Sequence, residues 1–350
     1  MPTPRERVLM TLRHQHPGAF PKEMGFTPAA FERFRRETGS SDPATYFGME
    51  MRHIGPERTS ETADFSRYYA DQDLPEGTTI DDYGTARVPA NFYHFWGLRF
   101  PAQRFNSLGQ YEEYPWPSYT VPDAAGEVAR AHHEAGFAVG GFAGHIWEVA
   151  WQVRGMKELM LDFIEREEMA AFLLDRITEQ VVRCAEGIAR AGADVLQLGD
   201  DVGMQDRLMM SPSMWREWLF PRLKRAADAA RAVNPDIHIW YHTDGDVRAI
   251  IPGLMEAGID VLNPVQPECM DPFELRAEYG DSLAFWGCVG TQSTLPFGSP
   301  NEVKRAVHRL IDEVGASGGL FLAPTHVVEP DVPWPNIVAF FEAIEEAARG

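Results

Sequence analysis

The apolar positions of this chain change rhythm near residue 120. Before it, Val8, Leu9 and Leu12 form a helical stripe over residues 3–16, with Thr3 as cap and Glu6 three residues on, a capping-box spacing. Residues 20–26 read as a strand. Residues 31–38 read as a helix stopped by Gly39. Residues 50–120 are rich in Gly, Pro, Tyr and Trp, and Asp81-Asp82-Tyr83-Gly84-Thr85 marks a turn between short strands. This stretch is expected to be a hairpin-rich lid layer, with Phe92, Tyr93, Phe95 and Trp96 as packing aromatics.

From residue 123 onward, strand and helix alternate. Helices are expected at 123–135, through Leu159 and Phe163, at 167–191, from Ser211-Pro212 to about 233, and at 247–257, 272–278, 300–314 and 335–348. Between them lie short apolar runs at 137–141, 194–198, 237–241, 260–263, 283–287 and 320–323. Apolar runs separated by helices imply parallel strands covered on both faces. Six are visible after residue 136, and the N-terminal third can supply the others. Neither GxGxxG nor GxxxxGK[ST] occurs. The expected fold is therefore α/β: a single (β/α)₈ TIM-type barrel over residues 1–350, with an N-terminal helix and the 50–120 lid.

Composition narrows the function classes. Hydrophobic residues make up 44%, enough for a large core. The 32 basic and 52 acidic residues leave a net charge of −20, which disfavours nucleic acid as a partner. The three cysteines, Cys184, Cys269 and Cys288, are scattered and form no CxxC pattern, so a reducing cytoplasm is the default. The N-terminus has no signal-peptide core, and no run approaches the roughly 20 apolar residues of a membrane span. A homodimer stays open.

The strand ends carry the candidate chemistry, because barrel sites form at the C-terminal ends of strands. In order these ends present Met24; Glu148; Asp200 and Asp201; His242 and Asp244; Asn263 and Gln266; Cys288, Thr291 and Gln292; and Thr325 with His326. Singly, each has a bland reading. Asp244 can make the turn before Gly245, Asp200 and Asp201 can cap a turn, and Cys288 can be a small buried hydrophobe. Period-two alternation puts His242 and Asp244 on one side of their strand. With His326 they make an N/N/O set suited to a catalytic divalent metal. Glu148 is a fourth ligand or general base, and Asp200 and Asp201 are acid–base candidates. Trp147, Gln205, Tyr241, Asn263, Gln266 and Gln292 are the expected substrate contacts.

Several stretches together resemble the uroporphyrinogen decarboxylase superfamily, which includes corrinoid-dependent methyltransferases. They are Thr3-Pro4-Arg5-Glu6-Arg7-Val8, Trp147 through Met156, Leu198-Gly199-Asp200-Asp201-Val202-Gly203, Met210 through Trp215, His242 through Val247, Gly258 through Gln266, and Trp286 through Gln292. The resemblance implies a single (β/α)₈ barrel with its cleft at the strand C-termini. The decarboxylases carry an Arg-Gln-Ala-Gly-Arg substrate loop where this chain has residues 21–27, Pro-Lys-Glu-Met-Gly-Phe-Thr. The methyltransferases bind zinc through His-x-Cys and a later Cys; here His242-Thr243-Asp244 and His326 fall near those places. The implied activity is a metal-dependent methyltransferase-like enzyme. Zinc is the implied metal, a small O- or N-methyl compound the substrate, and cobalamin or a corrinoid protein the partner. Harder ligands favour Lewis-acid activation of oxygen or nitrogen. The alternatives are a decarboxylase of a tetrapyrrole or small acid, and a non-catalytic corrinoid or small-molecule binding protein.

Overall fold

Seven parallel strands form one curled sheet whose order follows the chain: β1 (Met51–Ile54), β2 (Ala138–Gly144), β3 (Val195–Gly199), β4 (His238–His242), β5 (Val261–Asn263), β6 (Ala284–Val289) and β7 (Leu320–Pro324). The computed structural model describes residues 2–90 and 96–349. The expected strand at 20–26 takes the eighth place. It bridges β7 at Lys22↔Leu322 and meets the following segment at Phe26↔Val328. The barrel reading holds, with this eighth stave paired at single bridges rather than along a continuous ladder.

The strands were visible as apolar runs because helices cover their outer faces while the barrel interior buries their inner ones. β4 shows the alternation. Ile239 and Tyr241 are fully buried, whereas His238, Trp240 and His242 are half-buried on the other face. The inner core joins Met51, Ala138, Val195, Val261, Ala284 and Phe321 to Val8 and Leu12 of α1 (Pro4–Leu12). α1 therefore plugs the N-terminal end of the barrel, and Arg5 ties it to Asp194 at 2.8 Å. Each of the larger side chains among them contributes roughly 1.5–3 kcal/mol by its burial. The plug leaves the opposite end as the open one. The Thr3–Glu6 capping box forms as its spacing implies.

The expected helices are present with three differences, the first being that the one at 247–257 is a 3₁₀ turn over Arg248–Ile250 and α-helical only over Ile251–Glu256. The helix from Pro212 breaks at Leu219 into Pro212–Trp218 and Phe220–Val233, because Pro221 restarts it. The helix at 300–314 is α-helical over Pro300–Arg309 and then widens over Leu310–Val314.

The lid contains an antiparallel sheet of Thr79–Ile80, Ala86–Pro89 and Trp96–Arg99. The 81–85 turn forms, closed by Gly84 N–H donating to Asp81 O (2.9 Å). Phe92, Tyr93 and Phe95 lie outside the described residues. Trp96 is exposed on the hairpin edge, not packed in the core as the sequence suggested.

Candidate metal and substrate site

β4 stops at Thr243-Asp244-Gly245 because the chain turns under the loop after β3. Gly245 has φ +83°, and a Cβ there would meet Met204 O at 2.5 Å. The turn brings Asp244 back toward His242. The two loops are stitched by Asp244 N–H donating to Asp201 Oδ1 (2.8 Å) and Val202 N–H donating to Thr243 Oγ1 (3.2 Å).

Asp201, His242 and Asp244 form a close group, with one donor atom from each within 4.8 Å of the others. His242 Nε2 lies 3.6 Å from Asp201 Oδ1 and 3.9 Å from Asp244 Oδ1. Asn263 fixes the imidazole. Its Nδ2 donates to Trp286 O (2.7 Å), so its Oδ1 accepts from His242 Nδ1–H at 2.6 Å. That tautomer leaves Nε2 with a free lone pair. Asp244 Oδ1 is buried and has no hydrogen-bond donor. Burial pushes the Asp244 carboxyl up to about 6, the nearby His242 pulls it down, and Asp201 and Glu148 push it further up. A buried carboxylate oxygen without a donor is costly, and a cation shared with His242 and Asp201 would offset that cost. The donor set thus fits a divalent metal of intermediate hardness.

A second group, His145, Glu148 and Asp200, is equally close, but the atoms that face one another, His145 Nδ1 among them, are spent within the protein. Asp200 Oδ1 and Oδ2 accept the amides of Glu148 (2.9 Å) and Ile146 (3.2 Å) at the start of α2 (Trp147–Arg154). Asp200 thus caps the start of a helix earlier in the chain, not the turn that follows it as the sequence suggested. Burial pushes the Asp200 carboxyl up to about 7 against the pull of His145. His145 Nδ1 donates to Gly199 O (2.6 Å) and lies 2.8 Å from Glu148 Oε2. Burial alone would lower the His145 pKa, but Glu148 and Asp200 push it up to about 9. Burial likewise opposes ionisation of Glu148, and His145 overrides it to hold that carboxyl low. Glu148 is thus the partner of an imidazolium.

The cavity at the strand C-termini encloses roughly 360 Å³ and is lined by His145, Trp240, His242, Asn263, Trp286 and His326, among others. His326 shares this cavity with His242 but lies outside the close group, where Asp201 stands instead. Two expected substrate contacts point elsewhere. Trp147 is fully buried and stacks on Phe163 at 5.9 Å. Tyr241 falls on the outer face of β4, since alternation that turns Trp240 and His242 inward turns it away; its hydroxyl donates to Asp200 O (3.3 Å). Gln266 is buried, accepting Gly245 N–H at 2.6 Å. Gln205 and Gln292 pair with each other on the exposed rim (3.0 Å). Cys288 is buried in the core, and its thiol is pushed up by burial.

His145 escaped the sequence reading, although its place directly after Gly144, the last residue of β2, was a strand-end signal. Asp201 was anticipated as an acid rather than a ligand. Its proximity to His242 depends on β3 and β4 pairing with Gly199 opposite His242.

A family model described as uroporphyrinogen decarboxylase (URO-D) matches residues 103–347. The chain is 28% identical over 209 residues to the methylcobamide:CoM methyltransferase MtaA of Methanosarcina barkeri, covering 59% of this chain and 58% of that one. It is 26% identical over 219 residues to the uroporphyrinogen decarboxylase of Chlorobium limicola, covering 60% of each. The chain thus spans about three-fifths of the length of these curated relatives. A solved methyltransferase from Methanosarcina mazei shares the fold, with a TM-score of 0.67 at 20% identity over 99% of both chains.

Proposed function

The chain belongs to the uroporphyrinogen decarboxylase family, and from that premise we propose that it is a metal-dependent, methyltransferase-like enzyme acting on a small O- or N-methyl substrate. One observation carries the reading: the donorless Asp244 Oδ1 beside the free Nε2 of His242. Asp201, His242 and Asp244 would hold the ion, zinc being the first candidate. It would supply Lewis acidity toward a substrate oxygen or nitrogen. Glu148 and His326 are left out of the ligand set.

The protein's own residues do the rest. Asn263 locks the His242 ring, so its free nitrogen is presented without a search over tautomers. Asp201 receives the Asp244 amide and holds the turn closed. The His145 imidazolium, braced by Glu148 and Gly199, lines the cavity with Nε2–H uncommitted. It can donate to a substrate heteroatom and stabilise negative charge there. Trp240 and Trp286 wall the cavity and exclude water. A corrinoid, free or carried by a protein, is the methyl acceptor in this reading, in keeping with the name of the Methanosarcina barkeri relative.

Decarboxylation of a porphyrinogen is the weaker alternative. No Arg or Lys is among the described residues lining the cavity, so the many carboxylates of such a substrate would lack counter-charges.

The test is metal analysis of tag-free protein. Wild type should carry about one zinc per chain, and His242→Ala or Asp244→Ala should lose most of it along with turnover of methyl donors, while the barrel stays folded. A metal-replete wild type without stoichiometric metal would end the proposal.

A further inference from the structure

β2 carries a bulge. Its register with β3 shifts between Phe142 and Gly144, and Gly144 has φ +126°. Such a bulge re-aims a side chain. Here the extra residue follows Phe142, which alternation from Ala138 already places on the inner face at 37% exposure, and the shift brings the side chain after the bulge, His145, to Gly199 O (2.6 Å). The Phe142 ring meets His145 edge-on, with centroids 4.8 Å apart and planes at 63°. The pair forms a partition with a cavity on each side. One is the central cavity that holds His242; the other encloses roughly 230 Å³, and Phe142 and His145 line both.

The second chamber has a different chemistry. Its walls include Tyr83 and Tyr119 from the lid, Val149 from α2, and Val181 and Cys184 from the helix Glu167–Arg190. The two tyrosine rings lie 6.2 Å apart at 25°. The polar groups of Gln180 and Tyr119 around it are occupied. The Gln180 side chain accepts from Tyr119 N–H (3.1 Å) and donates to Tyr119 O (2.7 Å). The Tyr119 hydroxyl donates to Asp82 Oδ2 (2.6 Å). Burial raises the Cys184 pKa and keeps its thiol neutral. Among the described residues, His145 at the partition is the one Asp, Glu, Lys, Arg or His that lines the chamber. An apolar cavity of about 150 Å³ stays dry and takes up benzene, so this chamber has room for one substituted ring. Flat aromatic walls favour a flat ring over a puckered one.

We propose that the two cavities are lobes of one substrate site. The chamber behind Phe142 and His145 holds a single uncharged aromatic ring, and a heteroatom substituent on that ring reaches past the partition toward Asp201, His242 and Asp244. The substrate class is then a small aryl methyl ether or N-methylarylamine. This rests on the methyl-transfer reading and sharpens it, and it gives the lid a role as the wall of a ring pocket.

The experiment titrates anisole and cyclohexyl methyl ether into the full chain by calorimetry, with and without Zn²⁺, for wild type, Val149→Phe and Val149→Ala. NMR then locates the anisole through contacts to the Val149 and Val181 methyls in wild type and to the Val181 methyls in Val149→Ala. Anisole should bind wild type about tenfold more tightly than the cyclohexyl ether. Val149→Phe should lose about tenfold in anisole affinity because it fills the chamber, while its Zn²⁺ binding is retained. Val149→Ala keeps the test informative if the larger side chain prevents folding, since anisole must then still contact the Val181 methyls. Undiminished anisole binding by Val149→Phe, equal binding of the two ethers, or contacts elsewhere would overturn the ring pocket. Loss of the metal reading is distinguishable: protein that takes anisole into the chamber but never binds Zn²⁺ keeps the pocket and sinks the methyl-transfer function.

Discussion

His145 sits between the two cavities, and its charge is set by neighbours that its own sequence position does not reveal. Its pKa is pushed up to about 9 in the fold, against an unfolded value of 6.5. The sign follows by linkage. A group with a raised folded pKa adds stability fully below its unfolded pKa, and that stability is lost as pH rises through the folded one. Because the side chain is 30% exposed, solvent screening reduces the contribution to about 1–2 kcal/mol. His145→Gln should therefore lower the melting temperature most near pH 6 and progressively less between pH 6.5 and 9. Melting curves of both proteins across that range check it; a pH-independent gap would show that the imidazolium adds nothing.

At the scale of elements, α2 is fixed at its start by a side chain remote in sequence and at its end by its own last residue. Asp200 caps its start. At its end, Arg154 is fully buried, donates to both Asp162 oxygens (2.7 and 3.1 Å), and also donates to the carbonyls of Ala102, Gln103 and Phe105. One guanidinium thus joins α2, the next helix and the lid. Arg154→Met strands the buried Asp162 and three carbonyls, so it should cost about 3–5 kcal/mol in urea unfolding. Zinc stoichiometry in the folded variant should match wild type. A cost below about 1 kcal/mol, the usual worth of an exposed pair, would show that the clamp is only a surface bridge. Nothing local to Arg154 in the sequence shows that three carbonyls from the lid converge on it.

For the whole molecule, the net charge of −20 opposes association with polyanions. Binding to duplex DNA should be negligible at physiological salt, because the acidic balance of the chain repels phosphates and releases few counterions. Tight, salt-sensitive retention in a filter-binding or anisotropy assay would contradict this. Among the described residues, no helix is long and apolar enough to cross a membrane. The α1 plug closes one end of the barrel and the strand C-termini open at the other, so the polar strand ends have one common exit.

The sequence alone determined the strand and helix order after residue 123, the barrel, most helix ends and the gathering of polar residues at one rim, while β1 lay inside the stretch read as lid. These rest on local rules: apolar periodicity, caps such as Thr3 with Glu6, and stops such as Gly39, each legible within a few residues. The tertiary structure alone decided which rim residues meet. Asp201 rather than His326 joins His242 and Asp244 because β3 and β4 are neighbours in register, and the loop after β3 packs against Gly245. Tyr241 and Trp147 left the site because alternation and helix facing send them into the outer core. His145 joins Phe142 at the partition because a bulge after Phe142 shifts β2 against β3. Register and bulges are relations between strands far apart in sequence, and no local pattern encodes them.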